Sequence, residues 1–177
     1  ADLPAGLESV GDSAFYGCYA LYSVTLPASL ASVGYFAFEE CRDLLEVRNL
    51  SALPVAAGSS EYGGVARYAL ALCSSAEESR FVEEGGYYFL LTDGGWQLVR
   101  CGYQTYYNNN DAFTLPDSFA YGEDIIDAYS VGKEVFIYGG VYTIVVPQGV
   151  TAIERGTSGS YLTEVVYFSG SNETWQA

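Results

Sequence analysis

The side chains that could perform acid–base chemistry in this sequence are carboxylates, because the chain contains no histidine. Acidic residues occur as neighbours at Glu39-Glu40, Glu77-Glu78, Glu83-Glu84 and Glu123-Asp124. Glycoside hydrolysis needs two carboxylates that face each other across a cleft. Acids adjacent in the sequence are far more often solvated charge. Nucleotide-binding, nucleophile and metalloprotease motifs are also missing, so we predict that the protein is not an enzyme and uses no cofactor.

Metal binding is not expected either. The four cysteines, Cys18, Cys41, Cys73 and Cys101, contain no CxxC pair and no histidine accompanies them, whereas zinc sites are built from closely spaced Cys and His ligands. The polar turn at residues 108–111 offers oxygen atoms but lacks the spaced acids and the glycine of a calcium loop. We therefore assign no metal site.

The charge of the chain excludes some classes of partner. Its 22 acidic and 7 basic residues give a net charge of −15, which repels phosphate backbones and anionic lipid headgroups. We expect no nucleic-acid binding, and no apolar stretch is long enough to insert into a membrane. The 17 tyrosines either fill half-buried strand positions or form a recognition surface, and the strand propensity of tyrosine favours the first interpretation.

The amino-terminal residues form an internal repeat. Residues 3–25 and 26–48 superimpose without a gap at a period of 23 residues. The matched pairs include Leu3/Leu26, Pro4/Pro27, Leu7/Leu30, Val10/Val33, Gly11/Gly34, Ala14/Ala37, Phe15/Phe38, Cys18/Cys41, Leu21/Leu44 and Val24/Val47. A period of this size predicts a solenoid, because one unit cannot bury its own apolar face and must stack on a neighbour. We expect Phe15 to stack on Phe38.

Each repeat should contribute one short strand to a parallel sheet. The alternation in residues 21–26 and 44–48 predicts that Leu21, Val24, Leu26, Leu44 and Val47 point inward. The outward-facing positions would then include Tyr22, Ser23, Thr25, Leu45, Glu46 and Arg48. Asp12 to Phe15 is too short for a free helix and should form a single helical or 3₁₀ turn.

The period is lost after residue 50. Ser59 or Ser60 could cap a helix over residues 61–73, whose apolar residues fall on one face at helical spacing. Asp93-Gly94 between two β-rich runs predicts a hairpin over residues 87–101. We therefore divide the chain into two repeats at 1–50, an insert at 51–113, and degenerate repeats with a closing coil at 114–177. The repeat resumes at Leu115-Pro116.

The pattern LPxxLxSVGxxAFxxCxxLxxV resembles the leucine-rich repeats of the BspA-like class, also called the Treponema pallidum type. Residues 162–171, followed by Trp175, resemble the closing unit of the same family. The resemblance implies an α/β fold class. The architecture would be a leucine-rich-repeat solenoid with a short parallel sheet and short helical or 3₁₀ turns, interrupted by a helix plus an antiparallel hairpin.

The resemblance also implies a function: a non-catalytic binding or adhesion module of a bacterial secreted or cell-surface protein. A signal peptide would have been removed or would lie outside this sequence. We expect a monomer that recognises protein or glycan, host-derived ligands included, through the strand face. The candidate binding residues are Tyr22, Thr25, Arg48, Tyr142 and Thr143. The alternative is a set of structural spacer repeats that hold another domain away from the cell surface.

Two interpretations of the repeated cysteine remain open. Cys18 and Cys41 occupy the same repeat position, so stacking should place them on adjacent coils, roughly 5 Å apart. A disulfide would also need compatible Cβ directions. The resemblance favours a pair of buried thiols, since the family uses this cysteine for packing. Cys73 and Cys101 could meet only if the predicted helix packs on the hairpin.

Overall fold

The computed structural model describes residues 1–74, 79–102, 113–133, 135–136, 143–154 and 165–168. The chain forms two compact units, Ala1–Ser79 (unit 1) and Arg80–Ala177 (unit 2). Within the described residues, regular structure consists of β-strands and one 3₁₀ turn at Tyr62–Gly64. In this described part of the chain the architecture is a β-solenoid with almost no helix, so the expected α/β class is not supported. No helix in this part of the chain is long and apolar enough to cross a membrane.

Unit 1 is built from coils that repeat along the chain. Its described strands are β1 (Ser9–Val10), β2 (Ser23–Leu26), β3 (Ser32–Val33), β4 (Glu46–Asn49) and β5 (Ala71–Cys73). Strands β2, β4 and β5 form one parallel sheet, and β1 pairs with β3 in a second. Val10 pairs with Val33 and Val24 with Val47, which confirms the period of 23 residues. We call residues 3–25, 26–50 and 51–73 coils one, two and three.

Equivalent apolar side chains stack from coil to coil. The rings of Phe15 and Phe38 are stacked, with centroids 4.9 Å apart and planes 12° from parallel. Phe38 is fully buried, whereas Phe15 is only half-buried. The same difference separates Leu7 from Leu30, which is 2% exposed. Backbone hydrogen bonds join coil two to coil one on one side and to coil three on the other. The predicted column of like side chains is therefore confirmed.

The predicted helix over residues 61–73 is wrong. Ser59 does accept a hydrogen bond from the Glu61 amide, at 3.1 Å, but this contact starts only the 3₁₀ turn. Gly63 and Gly64 then adopt φ values of +64° and +80°, which no α-helix accommodates. The chain instead completes coil three and enters β5, whose Leu72 pairs with Val47. The left-handed conformations of the two glycines thus prevent the helix that the spacing of the apolar residues predicted.

The predicted outer face of β4 is also wrong in part. Leu45 is fully buried and Glu46 is only 4% exposed, although both were expected to face solvent. The hydroxyl of Ser79 donates a hydrogen bond of 2.6 Å to the Glu46 carboxylate. The end of unit 1 thus returns to β4 after β5. Ser79 and Glu46 are 33 residues apart, so the 23-residue repeat does not predict their contact.

Unit 2 combines an antiparallel hairpin with parallel strands. Its described strands are β6 (Phe81–Glu84), β7 (Tyr87–Thr92), β8 (Gly95–Cys101), β9 (Phe113–Thr114), β10 (Phe119–Tyr121), β11 (Asp124–Ile126), β12 (Tyr129–Val131), β13 (Thr143–Val146), β14 (Val150–Ile153) and β15 (Val165–Phe168). Strands β6, β7 and β8 are antiparallel, which confirms the hairpin over residues 87–101. Strands β12 and β14 extend this sheet in parallel, and β15, β13 and β9 form a separate parallel sheet.

The core of unit 2 is aromatic. The rings of Phe89 and Phe119 are stacked at 3.8 Å, and Tyr129 meets Phe89 edge-on at 5.1 Å. Leu115 is 1% exposed, so the residue at which the repeat was expected to resume is part of this core. Of the expected closing unit, residues 165–168 form β15, which pairs in parallel with β13. The rest of that unit, with Trp175, lies outside the described residues.

Replacing Phe38 by alanine should destabilise unit 1 by about 3–5 kcal/mol, because the ring is fully buried between two coils. Phe15→Ala should cost less, since its ring is half-buried. Tyr35→Ala is the control, because Tyr35 is 80% exposed. Hydrogen-exchange protection of amides in residues 1–79 measures the effect. Equal losses of protection for Phe38→Ala and Tyr35→Ala would contradict the stacked arrangement.

Unit 2 should lose stability at alkaline pH. Burial raises the pKa of Tyr87 and of Tyr129 above the ordinary value of 10.0. The unfolded chain therefore ionises first, and the free energy of unfolding should fall as the pH rises above about 10. Urea unfolding followed by tryptophan fluorescence reports on unit 2, which contains both tryptophans. The double variant Tyr87→Phe/Tyr129→Phe should show a shallower pH dependence; an unchanged slope would refute this assignment.

Candidate functional site

The strand face of unit 1 presents only part of the predicted binding residues. Tyr22 is 37% exposed, and Thr25 and Arg48 are half-buried. Thr25 pairs with Arg48 across β2 and β4, and its hydroxyl donates a hydrogen bond of 2.8 Å to the Asp2 carboxylate. The Arg48 guanidinium lies 3.7 Å from the buried carboxylate of Glu46.

The other two predicted residues belong to unit 2. Thr143 is the first residue of β13, and Tyr142 lies outside the described residues. The structure therefore brings Thr25 and Arg48 together on neighbouring strands and places Thr143 in a different unit. Recognition through the strand face remains a prediction.

A second surface of unit 1 carries exposed aromatic side chains. We call it the turn face: residues 12–19 of coil one, 35–42 of coil two and 61–67 of coil three. Its largest exposed apolar side chains are Tyr16 (56% exposed), Tyr19 (53%), Tyr35 (80%) and Phe36 (61%). The amides of residues 13, 15 and 17 donate to carbonyls of residues 35, 37 and 39, so the turns of coils one and two lie side by side.

The turn face contains a cleft of about 780 Å³. Its walls come from all three coils and combine aromatic rings, carboxylates and backbone. The lining residues are Asp12, Val33, Gly34, Tyr35, Phe36, Glu39, Ser60, Glu61, Tyr62, Gly63 and Arg67. A volume of this size is typical of ligand sites and would hold several side chains of a bound chain.

Glycines allow the coils to approach at this cleft. A Cβ atom on Gly34 would lie 2.5 Å from the Asp12 amide nitrogen, and one on Gly63 would lie 2.5 Å from the Gly34 carbonyl oxygen. Any side chain at these positions would push the turns apart. The close approach lets the Asp12 carboxylate accept a hydrogen bond of 2.7 Å from the Tyr35 amide, which fixes both residues beside the cleft.

Two bulky aromatic residues of the cleft adopt a left-handed backbone. Ser13, Phe36 and Tyr62 occur at corresponding places in the three turns and have φ values of 56°, 55° and 50°. This conformation costs about 1–2 kcal/mol for a residue with a side chain. Residues held in sparsely populated backbone regions cluster at binding and active sites. The turn thus holds the backbones of Phe36 and Tyr62 in a conformation that is unfavourable for either residue by itself.

The cleft is acidic. Its lining contains the carboxylates of Asp12, Glu39 and Glu61 and the single guanidinium of Arg67, a formal charge of −2. An Arg67 Nη1 atom donates to a Glu39 carboxylate oxygen, and this hydrogen bond is the main cause that raises the pKa of Arg67. The Arg67 guanidinium also lies 5.6 Å from the centre of the Tyr68 ring, within range of a cation–π contact.

The cysteines play no part in this site. Cys18, Cys41, Cys73 and Cys101 form no disulfide bonds. The Cys41 thiol donates a hydrogen bond of 2.9 Å to the Phe15 carbonyl, and burial raises its pKa to about 11. A neutral, buried thiol is unreactive. Among the described residues, no group of three or more His, Cys, Asp or Glu side chains could hold a metal ion.

Sequence reasoning missed the turn face. Residues 12–13 and 35–36 fall at positions where the two repeats differ, so the alignment marks them as unconstrained. Coil one has Asp12 and Ser13 there, whereas coil two has Tyr35 and Phe36. Two adjacent large aromatic residues at positions that the repeat does not use for its core are a signal for an exposed aromatic surface.

The family comparison bears on unit 1. A family model described as "BspA type Leucine rich repeat region (6 copies)" matches residues 1–60. Residues 1–60 are thus similar to the BspA-type leucine-rich repeats. The BspA-type match includes coils one and two completely and ends within coil three, just before the 3₁₀ turn.

One solved structure is similar to the chain. It is the crystal structure of a leucine rich cell surface protein from Faecalibacterium prausnitzii A2-165. The similarity covers 94% of this chain and 34% of that chain, with a TM-score of 0.37 and 17% sequence identity. This chain thus spans about a third of that protein's crystallised length. No curated protein matches the chain.

Replacing Gly34 by alanine should destabilise unit 1 by about 1–3 kcal/mol, because the added methyl group would force the turns of coils one and two apart. Gly11→Ala is the matched control. Gly11 occupies the same repeat position, but a Cβ atom there meets nothing within 4 Å. Thermal unfolding of the two variants compares them. Equal effects of Gly34→Ala and Gly11→Ala would mean that the turns are not in close contact.

Proposed function

We propose that the protein is a non-catalytic binding module of a secreted or cell-surface bacterial protein, and that unit 1 binds a protein partner through its turn face. The observation that carries the proposal is the group of exposed aromatic side chains on adjacent coils. Tyr35 and Phe36 border the cleft, and Tyr16 and Tyr19 lie on the next coil.

Exposed aromatic residues are well suited to recognition. A tyrosine offers a large apolar surface and a hydroxyl group, and few rotatable bonds become fixed when it binds. Aromatic residues are enriched among those that contribute most to binding energy. Contiguous apolar patches are uncommon on monomers without a partner. A group of exposed aromatic side chains on two adjacent coils therefore supports a binding role.

The repeat family supports the same class of function. Residues 1–60 are similar to BspA-type leucine-rich repeats, and solenoids present extended surfaces that suit the binding of other macromolecules. The strongly acidic composition is compatible with a protein exposed outside the cell and argues against anionic partners. A glycan partner, and a partner bound by the strand face, are the competing proposals.

The turn face is better suited than the strand face. On the strand face, Leu45 is fully buried and Glu46 is engaged by Ser79, so the middle strand offers little surface to a ligand. Tyr35 and Phe36 expose 80% and 61% of their surface. A partner that covers these two rings would remove a larger apolar area from water, and this area is the main source of binding energy.

The proposal can be tested with a library of random peptides of about 12 residues, long enough to cover a groove. The whole chain is used to select binders, and Kd is then measured for the enriched peptides. The double variant Tyr35→Ala/Phe36→Ala should weaken binding by about ten-fold or more, because it removes both exposed rings.

Tyr22→Ala is the matched control, since it removes an exposed aromatic side chain from the strand face. Its Kd should be unchanged. If Tyr22→Ala abolishes binding and the double variant does not, the strand face is the binding surface and the proposal fails. If no peptide is enriched, the spacer interpretation is favoured. A glycan array probed in parallel would reveal a carbohydrate ligand instead.

A further inference from the structure

We propose that the cleft on the turn face binds a cationic side chain, lysine or arginine, of an extended peptide segment in a partner protein. This inference rests on the proposed function, because it names the chemistry that the turn face selects. It is carried by three features of the cleft: carboxylates without basic partners, exposed aromatic rings beside them, and a guanidinium of the chain itself already bound in the same way.

Two of the three carboxylates in the cleft are not neutralised. Glu39 is paired with Arg67, but Asp12 and Glu61 form no salt bridge within the described part of the chain. Both are exposed residues on the cleft wall. The Tyr35 amide donates to Oδ1 of Asp12, and a carboxylate has two oxygens that can each accept hydrogen bonds. A cationic side chain of a partner could therefore bind to Asp12 or Glu61 without first breaking a salt bridge within unit 1.

Aromatic rings stand beside these carboxylates. The Tyr35 amide donates a hydrogen bond to the Asp12 carboxylate. This contact holds the Tyr35 backbone, from which the ring projects, next to that carboxylate. Phe36 follows directly in the chain, and Tyr62, the residue after Glu61, also lines the cleft. An ammonium or guanidinium group is attracted to the faces of such rings as well as to carboxylates. The apolar stem of a lysine or arginine can meanwhile pack on the rings.

Arg67 shows that the cleft accepts this chemistry. Its guanidinium donates to Glu39 and lies near the face of the Tyr68 ring. A carboxylate of the cleft and the neighbouring ring of Tyr68 thus already contact one cation. A second cation from a partner would repeat the arrangement with Glu61 or Asp12 and the rings of Tyr35 and Tyr62.

The charge of the whole chain favours the same partner. With a net charge of −15 and a single lysine, Lys133, the protein attracts cationic segments over long distances. Such steering raises association rates and rejects anionic competitors. A glycan, neutral or anionic, gains nothing from this charge. A basic peptide therefore fits the cleft better than a carbohydrate.

Glu61→Gln is the variant that tests the inference, and Glu8→Gln is its control. Both replace an exposed glutamate of unit 1 and change the net charge equally, but Glu8 does not line the cleft. The probes are the peptides enriched from the random library, together with forms in which each lysine or arginine is replaced by glutamine. Kd is measured at about 0.05 M and about 0.5 M salt, where exposed charges are weakly and strongly screened.

The expected result has three parts. Enriched peptides contain an excess of lysine and arginine, and replacing one of these with glutamine weakens binding. Glu61→Gln weakens binding about three- to five-fold at low salt, and Glu8→Gln has no effect beyond the small change in steering. The peptide substitution and Glu61→Gln are non-additive, because each removes one half of the same contact.

Other outcomes overturn the inference in distinguishable ways. If peptides bind in a manner that depends on Tyr35 and Phe36 but show no excess of basic residues, the turn face binds and the cationic specificity is wrong. If Glu61→Gln and Glu8→Gln weaken binding equally, only net charge matters and the cleft has no specific role. If no peptide binds, or a glycan binds at these rings, the proposed protein partner is wrong as well.

Discussion

Contact between successive coils is the interaction on which unit 1 depends. A coil of 23 residues has too little apolar surface to form a core alone, so its inward side chains must be covered by the next coil. The effect is visible where the two coils carry the same residue. Phe38, in the coil that pairs with both coil one and coil three, is fully buried, whereas Phe15 in coil one is half-buried. The same residue type is thus buried to different degrees at different positions in the stack.

The same stacking creates the candidate site. Because the coils are in register, residues at one place in each turn form a row on the surface. Gly34 and Gly63 let the backbones of adjacent turns come close, and the cleft lies between the side chains that project beyond them. Core positions of the repeat are constrained by packing, but Tyr35 and Phe36 are not. A repeat protein can therefore vary its turn surface without altering the stack.

The sequence predicts the parts of the fold that follow from periodicity and local turn chemistry. The pairing of Val24 with Val47 and the stacking of Phe15 on Phe38 follow from a gapless repeat. The hairpin follows from Asp93-Gly94 between two β-rich runs. The third coil was missed because Gly63 and Gly64 take left-handed conformations, which a helical spacing of apolar residues does not reveal.

Contacts over long distances in the sequence account for the other errors. Glu46 is buried and accepts a hydrogen bond from Ser79, and no local pattern predicts that contact. The turn-face cleft needs Asp12, Tyr35 and Glu61 from three coils, and it becomes visible only once coil three is recognised. Periodicity thus identifies the core residues that recur in each coil, whereas the candidate site is made of residues that differ between the coils.

The central claim, that coils one and two are stacked in register, can be tested most directly by nuclear magnetic resonance. In protein that is deuterated except at phenylalanine, the rings of Phe15 and Phe38 should show a strong nuclear Overhauser effect, since their centroids are 4.9 Å apart. The signal is assigned by its loss in Phe15→Leu. Its absence in the unaltered chain, with both rings assigned, would contradict the stacked solenoid and the site built upon it.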